Sequence, residues 1–241
     1  MSSRSRDQGS GARGQGSGIG PRTPTPDPRA LSARHSPFLV VLSSPSGAGK
    51  TTICHEVELR DRNIARSVSV TTRPKRKGEI NGRSYYFHSE KQFQQLNDKG
   101  GLIENAGVYD HHYGTPKAPV MRHFREGRDV IADLDIQGMR SCRKELPGTV
   151  SVFVTTPDLG ELDRRLRSRG TDSADEVRRR EADRTKEMAA IPEFDYLVVN
   201  DQLKQAVDDV MAIVRAERLR TSRMSPTAPV RSKKTKPGTR K

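Results

Sequence analysis

The sequence predicts an α/β fold with a mostly parallel sheet, and three observations carry that expectation. Short apolar runs alternate with helix-like segments between Phe38 and Leu219. The runs are apolar on consecutive positions, as strands covered on both faces require. The first run ends in a loop of small residues that opens a helix, the usual cradle for a phosphate.

The elements follow in order. Residues 38–43 form the first strand, and 50–60 the helix behind the small-residue loop. Further core strands are expected at 67–70, 130–134, 150–155 and 196–199, and further helices at 137–145, 159–169, 174–190 and 202–219. Pro157-Asp158 and Asn200-Asp201 suit helix starts. Residues 72–119 break the rhythm: Asn81-Gly82, Gly100-Gly101 and Tyr85-Tyr86-Phe87 read as a small β-rich insertion with turns. A second irregular patch, 164–180, is dense in arginine around Gly170.

Composition narrows the function classes. The chain has 241 residues and a formal charge of +14, which resembles a nucleic-acid signal until the charge is located. Residues 1–37 carry +4 and residues 220–241 carry +8, leaving 38–219 nearly balanced. Gly, Ser, Pro and Arg dominate the first segment, which reads as a flexible leader, and the basic end reads as a solvated tail. Salt-sensitive contact of Lys233, Lys234 and Lys236 with nucleic acid or acidic membrane is the less favoured alternative. An organelle transit peptide would need an amphipathic apolar face, which the leader lacks. The longest apolar run, residues 38–42, is far short of the ~20 residues of a membrane span, so a soluble, cytoplasmic protein is expected. Cys54 and Cys142 match no metal-ligand spacing and read as small buried side chains.

Ser44-Pro45-Ser46-Gly47-Ala48-Gly49-Lys50-Thr51 has the context of a P-loop: strand, small-residue loop, then Gly-Lys-Thr at a helix N-terminus. Gly47 and Gly49 let backbone N–H groups turn toward phosphate oxygens. Lys50 can reach the outer phosphates, and the Thr51 hydroxyl can ligate Mg²⁺. Residues 44–52, Thr52 included, are therefore the expected ATP site. Ser44 stands where the pattern usually has its first glycine.

Five further segments complete the picture: Ser67-Val68-Ser69-Val70-Thr71-Thr72-Arg73-Pro74-Lys75-Arg76-Lys77-Gly78-Glu79; Asn81-Gly82-Arg83-Ser84-Tyr85-Tyr86-Phe87; Leu102-Ile103-Glu104-Asn105-Ala106; His112-Tyr113-Gly114-Thr115; and Asp133-Leu134-Asp135-Ile136-Gln137-Gly138. In this order, downstream of a P-loop, they resemble the guanylate kinase family over roughly residues 38–224. The resemblance implies a P-loop NTPase core, an NMP-binding insertion at about 72–119, an arginine-rich lid at about 164–180, and transfer of phosphate from ATP to GMP. It places Arg73, Arg76, Tyr85 and Tyr113 in a clamp for the GMP phosphate, a dianion that guanidinium and phenol groups suit. It assigns the guanine to Glu104, because one carboxylate can accept from both N1–H and N2–H and adenine lacks that pair. Ser69, Thr115, Asp133 and Asp135 complete the implied GMP pocket.

The resemblance also assigns Arg165, Arg169 and Arg180 to the transferring phosphate with Lys50, and Asn200 to the adenine side. Two departures stand out. The family usually reads Thr-Thr-Arg-x-Pro-Arg, whereas here proline is at 74 and Lys75 follows, and His112 replaces a common tyrosine. A GMP phosphate oxygen is already an anionic nucleophile at neutral pH, so no general base is required; positioning and charge neutralisation carry the reaction. The rivals are a non-catalytic module that binds phosphorylated peptides, a sister kinase acting on a phosphorylated sugar, and a nucleic-acid-binding protein. Retention of Lys50 and Thr51 weighs against the first, Glu104 with the tyrosine pair against the second, and the placement of charge against the third.

Overall fold

The computed structural model describes residues 34–108, 110–158, 160–162, 164 and 185–225. The expectations for residues 1–33 and 226–241 lie outside the described residues.

A five-stranded, all-parallel sheet organises the core: β2 (Leu39–Ser43), β3 (Ile64–Arg66), β8 (Asp129–Asp133), β9 (Val150–Thr155) and β10 (Tyr196–Val199), in the order β10-β9-β2-β8-β3. Alternation along β2 explains why both of its faces are apolar. Val40 and Leu42 join Val152, Val154, Ile53 and Val57 on one side. Leu39 and Val41 join Val130, Ala132, Met139 and Cys142 on the other. Helix α1 (Lys50–Arg60) and the C-terminal helix α5 (Leu203–Arg218) cover the first face, Val207, Val210 and Val214 supplying the stripe of α5. Helices α3 (Lys117–Arg125) and α4 (Ile136–Glu145) cover the second. Cys54 and Cys142 are buried on opposite faces, and burial raises both thiol pKa values.

The chain leaves β2 toward β3 and β8 on one side, and later continues to β9 and β10 on the other. The carboxyl end of β2 is therefore the topological switch point, where open α/β sheets bind their ligands.

The insertion is a four-stranded sheet in the order β5-β4-β7-β6, built from β4 (Val70–Thr71), β5 (Tyr86–Phe87), β6 (Leu102–Val108) and β7 (His111–Pro116). It has a small core of its own, Val70, Phe93 and Leu102, in which Phe93 comes from α2 (Glu90–Asp98). A capping box starts α2: the Gln92 N–H donates to the Ser89 hydroxyl, and the Gln92 side chain accepts from the Ser89 N–H at 2.8 Å.

Two sequence expectations are corrected here. Residues 67–70 are not a core strand; Ile64–Arg66 pairs with β8 in the core sheet, and Val70–Thr71 belongs to the insertion sheet. The 72–119 insertion is β-rich as expected, and it also contains α2 and the start of α3. The folded domain is also wider than 38–219. β1 (Arg34–His35) pairs antiparallel with β11 (Met224–Ser225), and contacts from His35 and from Arg223, just before β11, hold this pair to the core. The buried Asp129 carboxylate meets His35 Nε2 at 3.0 Å, Arg223 Nη2 donates to Glu217 at 3.0 Å, and the Arg223 guanidinium lies 4.2 Å from the Phe38 ring centre. Two of the arginines assigned to the tail, Arg220 and Arg223, thus pair with Glu217, itself 2% exposed.

Candidate active site

The loop between β2 and α1 wraps the N-terminus of α1, as its glycines require. Gly49 adopts φ 93°, in the left-handed region, and caps the helix without a side chain. Lys50 Nζ folds back to donate to the Ser44 carbonyl at 2.8 Å, and the Ser44 hydroxyl donates to Pro45 O at 2.7 Å. Burial lowers the pKa of the Lys50 ammonium, against the opposing pull of Asp133. The Thr51 hydroxyl donates to Asp133 Oδ2, at the carboxyl end of β8, at 2.6 Å.

Asn200 follows β10 and lies against this loop. It is 4% exposed, its N–H donates to Thr155 O at 2.7 Å, and its Nδ2 donates to Ala48 O at 2.8 Å. A Cβ at position 49 would lie 2.6 Å from that nitrogen. The side chain expected on the adenine side thus hydrogen-bonds the backbone of the phosphate loop.

A cavity of about 940 Å³ opens in front of the sheet, within the size range of small-ligand sites. Lys50, Thr51 and Thr52 line one side of it, and Ser69, Tyr85, Glu104 and Tyr113 line the insertion side. Asp133 and Asp135 lie between, and also border a smaller lobe of about 290 Å³ at Ser44, Pro45, Ser46, Gly47 and Gly49. Ala48 is fully buried and lines neither cavity.

Glu104 comes from β6 and is 6% exposed. Its Oε1 accepts from the Thr115 hydroxyl at 2.8 Å, across the β6–β7 pair. Gly138 of α4 leaves it room, since a Cβ there would lie 3.3 Å from Glu104 Oε2. Burial raises the carboxyl pKa to about 7; the Thr115 hydrogen bond opposes the rise and nearby Asp135 adds to it. Asp135 itself caps α4, accepting from Gly138 N at 2.7 Å. Thr115 therefore reaches the cavity through Glu104.

Tyr85 and Tyr113 meet edge to face with ring centres 6.0 Å apart. The Arg73 guanidinium lies 5.5 Å from the Tyr85 ring centre and donates to Glu79 Oε1 at 2.6 Å. Neither Arg73 nor Arg76 is on the cavity wall; Glu79, Arg66 and Arg83 are, and sequence reasoning passed over all three. Glu79 had a legible signal, a carboxylate six positions past Arg73 in the same motif. Arg66 had none, because only the path of β3 brings it to the cavity.

The Pro74-Lys75 departure leaves the turn closed, with Arg76 N donating to Glu79 Oε2 at 2.8 Å and Pro74 O accepting from Arg73 Nη1 at 2.7 Å. His112 stacks on Phe93 with ring centres 5.3 Å apart, which anchors β7 to α2. The lid arginines Arg165, Arg169 and Arg180 lie outside the described residues. No helix among the described residues is long and apolar enough to cross a membrane.

Comparison with known proteins agrees with this fold. A family model described as Guanylate kinase matches residues 36–217. A guanylate kinase of Carboxydothermus hydrogenoformans is 44% identical over 191 residues, covering 79% of this chain and 94% of that one. One of Sphingopyxis alaskensis is 46% identical over 186 residues, covering 77% and 84%. The crystal structure of guanylate kinase from Anaplasma phagocytophilum superposes with a TM-score of 0.66 at 30% identity, covering 80% of this chain and 92% of that one. A P-loop ahead of a buried carboxylate, on this fold and with these relatives, means that the chain belongs to the guanylate kinase family.

Proposed function

We propose that the chain catalyses ATP + GMP = ADP + GDP by direct in-line transfer, with the 940 Å³ cavity holding both reacting phosphates. One observation carries the assignment of residues: Glu104, a carboxylate 6% exposed, and Lys50, the P-loop cation, face the same cavity. Ionised Glu104 accepts from guanine N1–H and N2–H, with Thr115 fixing its orientation, and Ser69 and Asp135 border the base. An adenine would leave the carboxylate unpaired, which is the strongest form of rejection a polar pocket offers. Tyr85 and Tyr113 receive the GMP phosphate at the cavity wall, with Arg73 and Arg76 completing the clamp from just behind that wall, beside Tyr85 and Glu79.

Residues 44–52 wrap the ATP phosphates. Lys50 leaves the Ser44 carbonyl for the β- and γ-phosphates, offsetting charge that spreads over the transferring group. Thr51 and Asp133 supply hard oxygen atoms 2.6 Å apart at the edge of the phosphate loop, a donor set that suits Mg²⁺, which is held by one or two protein oxygens together with phosphates and water. When bound, that ion would neutralise phosphate charge. Arg165, Arg169 and Arg180 would add to Lys50 from the lid. The reaction belongs to purine nucleotide metabolism, and we place it in the cytoplasm.

The test is ADP formation with GMP, dGMP, AMP, UMP and CMP as acceptors, with magnesium present. Turnover with GMP at least tenfold above AMP is expected. ATP left intact in the presence of GMP would overturn the enzymatic reading, and a preference for AMP would overturn the role of Glu104.

A further inference from the structure

Glu79 lies on the wall of the cavity, next to the residues that receive the GMP phosphate. One of its oxygens accepts from Arg73 Nη2 at 2.6 Å and the other from the Arg76 N–H at 2.8 Å. The Glu79 N–H in turn donates to Arg76 O at 3.2 Å. A single carboxylate thus ties the Arg73 side chain to the turn that carries Arg76. On its other sides the guanidinium is bounded by the Pro74 carbonyl and by the Tyr85 and Phe87 rings, 5.5 and 5.9 Å from its centre.

Two consequences follow from elementary chemistry. An unpaired carboxylate on this wall would repel a phosphate dianion, but Glu79 is neutralised by Arg73 and hydrogen-bonded by the Arg76 N–H. An arginine fixed before substrate arrives also spares the binding step the rotamer entropy of ordering it. Beyond its bonds to Glu79 and Pro74 and its contact with the Tyr113 hydroxyl, Arg73 keeps further N–H donors for a phosphate.

We propose that Glu79 is a positioning residue for the monophosphate: it presets Arg73 and the 76–79 turn, and the phosphate of GMP joins the pair without displacing the carboxylate. The inference rests on the reading that Arg73 receives that phosphate.

Steady-state kinetics of full-length Glu79→Gln, Glu79→Asp and Arg73→Gln test both ideas separately. Glutamine keeps an oxygen for Arg73 but sets an amide NH₂ against the Arg76 N–H. It is expected to raise KM for GMP about 10- to 100-fold, the scale set by misplacing a binding group by about an ångström. KM for ATP, thermal unfolding, and inhibition by guanosine (which lacks the phosphate) should stay at wild-type values. Aspartate, which keeps the charge, should recover part of the loss. An unchanged or lower KM for GMP in Glu79→Gln, with Arg73→Gln impaired, overturns the inference, because the carboxylate would then be a placeholder that substrate expels. An unchanged KM for GMP in Arg73→Gln overturns the phosphate assignment and this inference with it.

Discussion

Asn200 Nδ2 donates to the Ala48 carbonyl at 2.8 Å, which joins the end of β10 to the phosphate loop across 152 positions of sequence. The side chain expected beside adenine thus also ties down the phosphate loop. Asn200→Ala leaves a buried carbonyl without its donor, a cost of about 1–3 kcal/mol. KM for ATP should rise about tenfold, equal to about 1.4 kcal/mol of lost binding. KM for GTP as alternative donor should rise by the same factor, because the brace acts on phosphates. A change in the ATP-to-GTP preference would return Asn200 to the adenine side.

Lys50→Met should lower kcat by about 10³-fold, the scale of removing one preorganised group that stabilises developing charge. Burial depresses the Lys50 pKa, so the charged form is disfavoured in the folded protein and removing it should not lower stability. Thermal unfolding at roughly neutral pH should therefore give a midpoint equal to or above wild type.

Glu104 should impose a pH dependence on GMP binding. Its pKa of about 7 means the acceptor form is lost as pH falls, so KM for GMP should rise about fivefold between about pH 7 and pH 6. KM for ATP should follow no such slope, and Glu104→Gln should abolish it while raising KM for GMP by about 10³-fold or more.

The same group makes a statement about stability with the opposite sign from most carboxylates. The folded pKa of about 7 lies above the ordinary 4.5, so the folded state binds the proton more tightly and loses stability as pH rises between those values. The penalty is full above about pH 7 and amounts to about 3 kcal/mol at most. Chemical denaturation at about pH 8 should show Glu104→Gln to be more stable than wild type, with the gap closing toward pH 4.5.

Arg218 bonds Asp129 and Asp61, each at 2.7 Å, at the end of the sheet away from the cavity. Asp129 is 0% exposed, so Arg218→Ala leaves a buried charge short of a partner and should cost about 3–5 kcal/mol. kcat and both KM values should be unchanged below the unfolding transition. Ending the chain at Leu219 should destabilise in a related way, by removing Arg220 and Arg223 from Glu217, whereas ending it at Ser225 should not. Equal melting temperatures for the two truncations would refute the role given to residues 220–225.

What the sequence made legible was what local chemistry fixes. Lys50–Arg60, Val150–Thr155 and Tyr196–Val199 fall where capping residues and continuous apolar runs put them. Helix α2 escaped because its polar sequence buries only Phe93; its signal was the Ser89–Gln92 capping box. Helix α3 was hidden by Pro119, which a first helical turn tolerates. Ile64–Arg66 was hidden by the stronger alternation of Ser67 to Val70, and only pairing with β8 decides between them. In the site, the residue types at Glu104, Thr115, Lys50 and Thr51 carried their chemistry openly. The partners of Arg73 and Asn200 did not, since each depends on where a turn or a distant strand comes to rest.

The pairing of β1 with β11 sets Arg34 opposite Ser225, so the two ends of the folded domain finish as neighbouring strands. A short Gly-Ser bridge could close them into a ring, and new termini could then be opened at an exposed turn such as Gly127, between α3 and β8. Such a permuted chain would keep its sheet and cavity intact, and the position of the cut could be chosen for labelling or fusion without touching either substrate site.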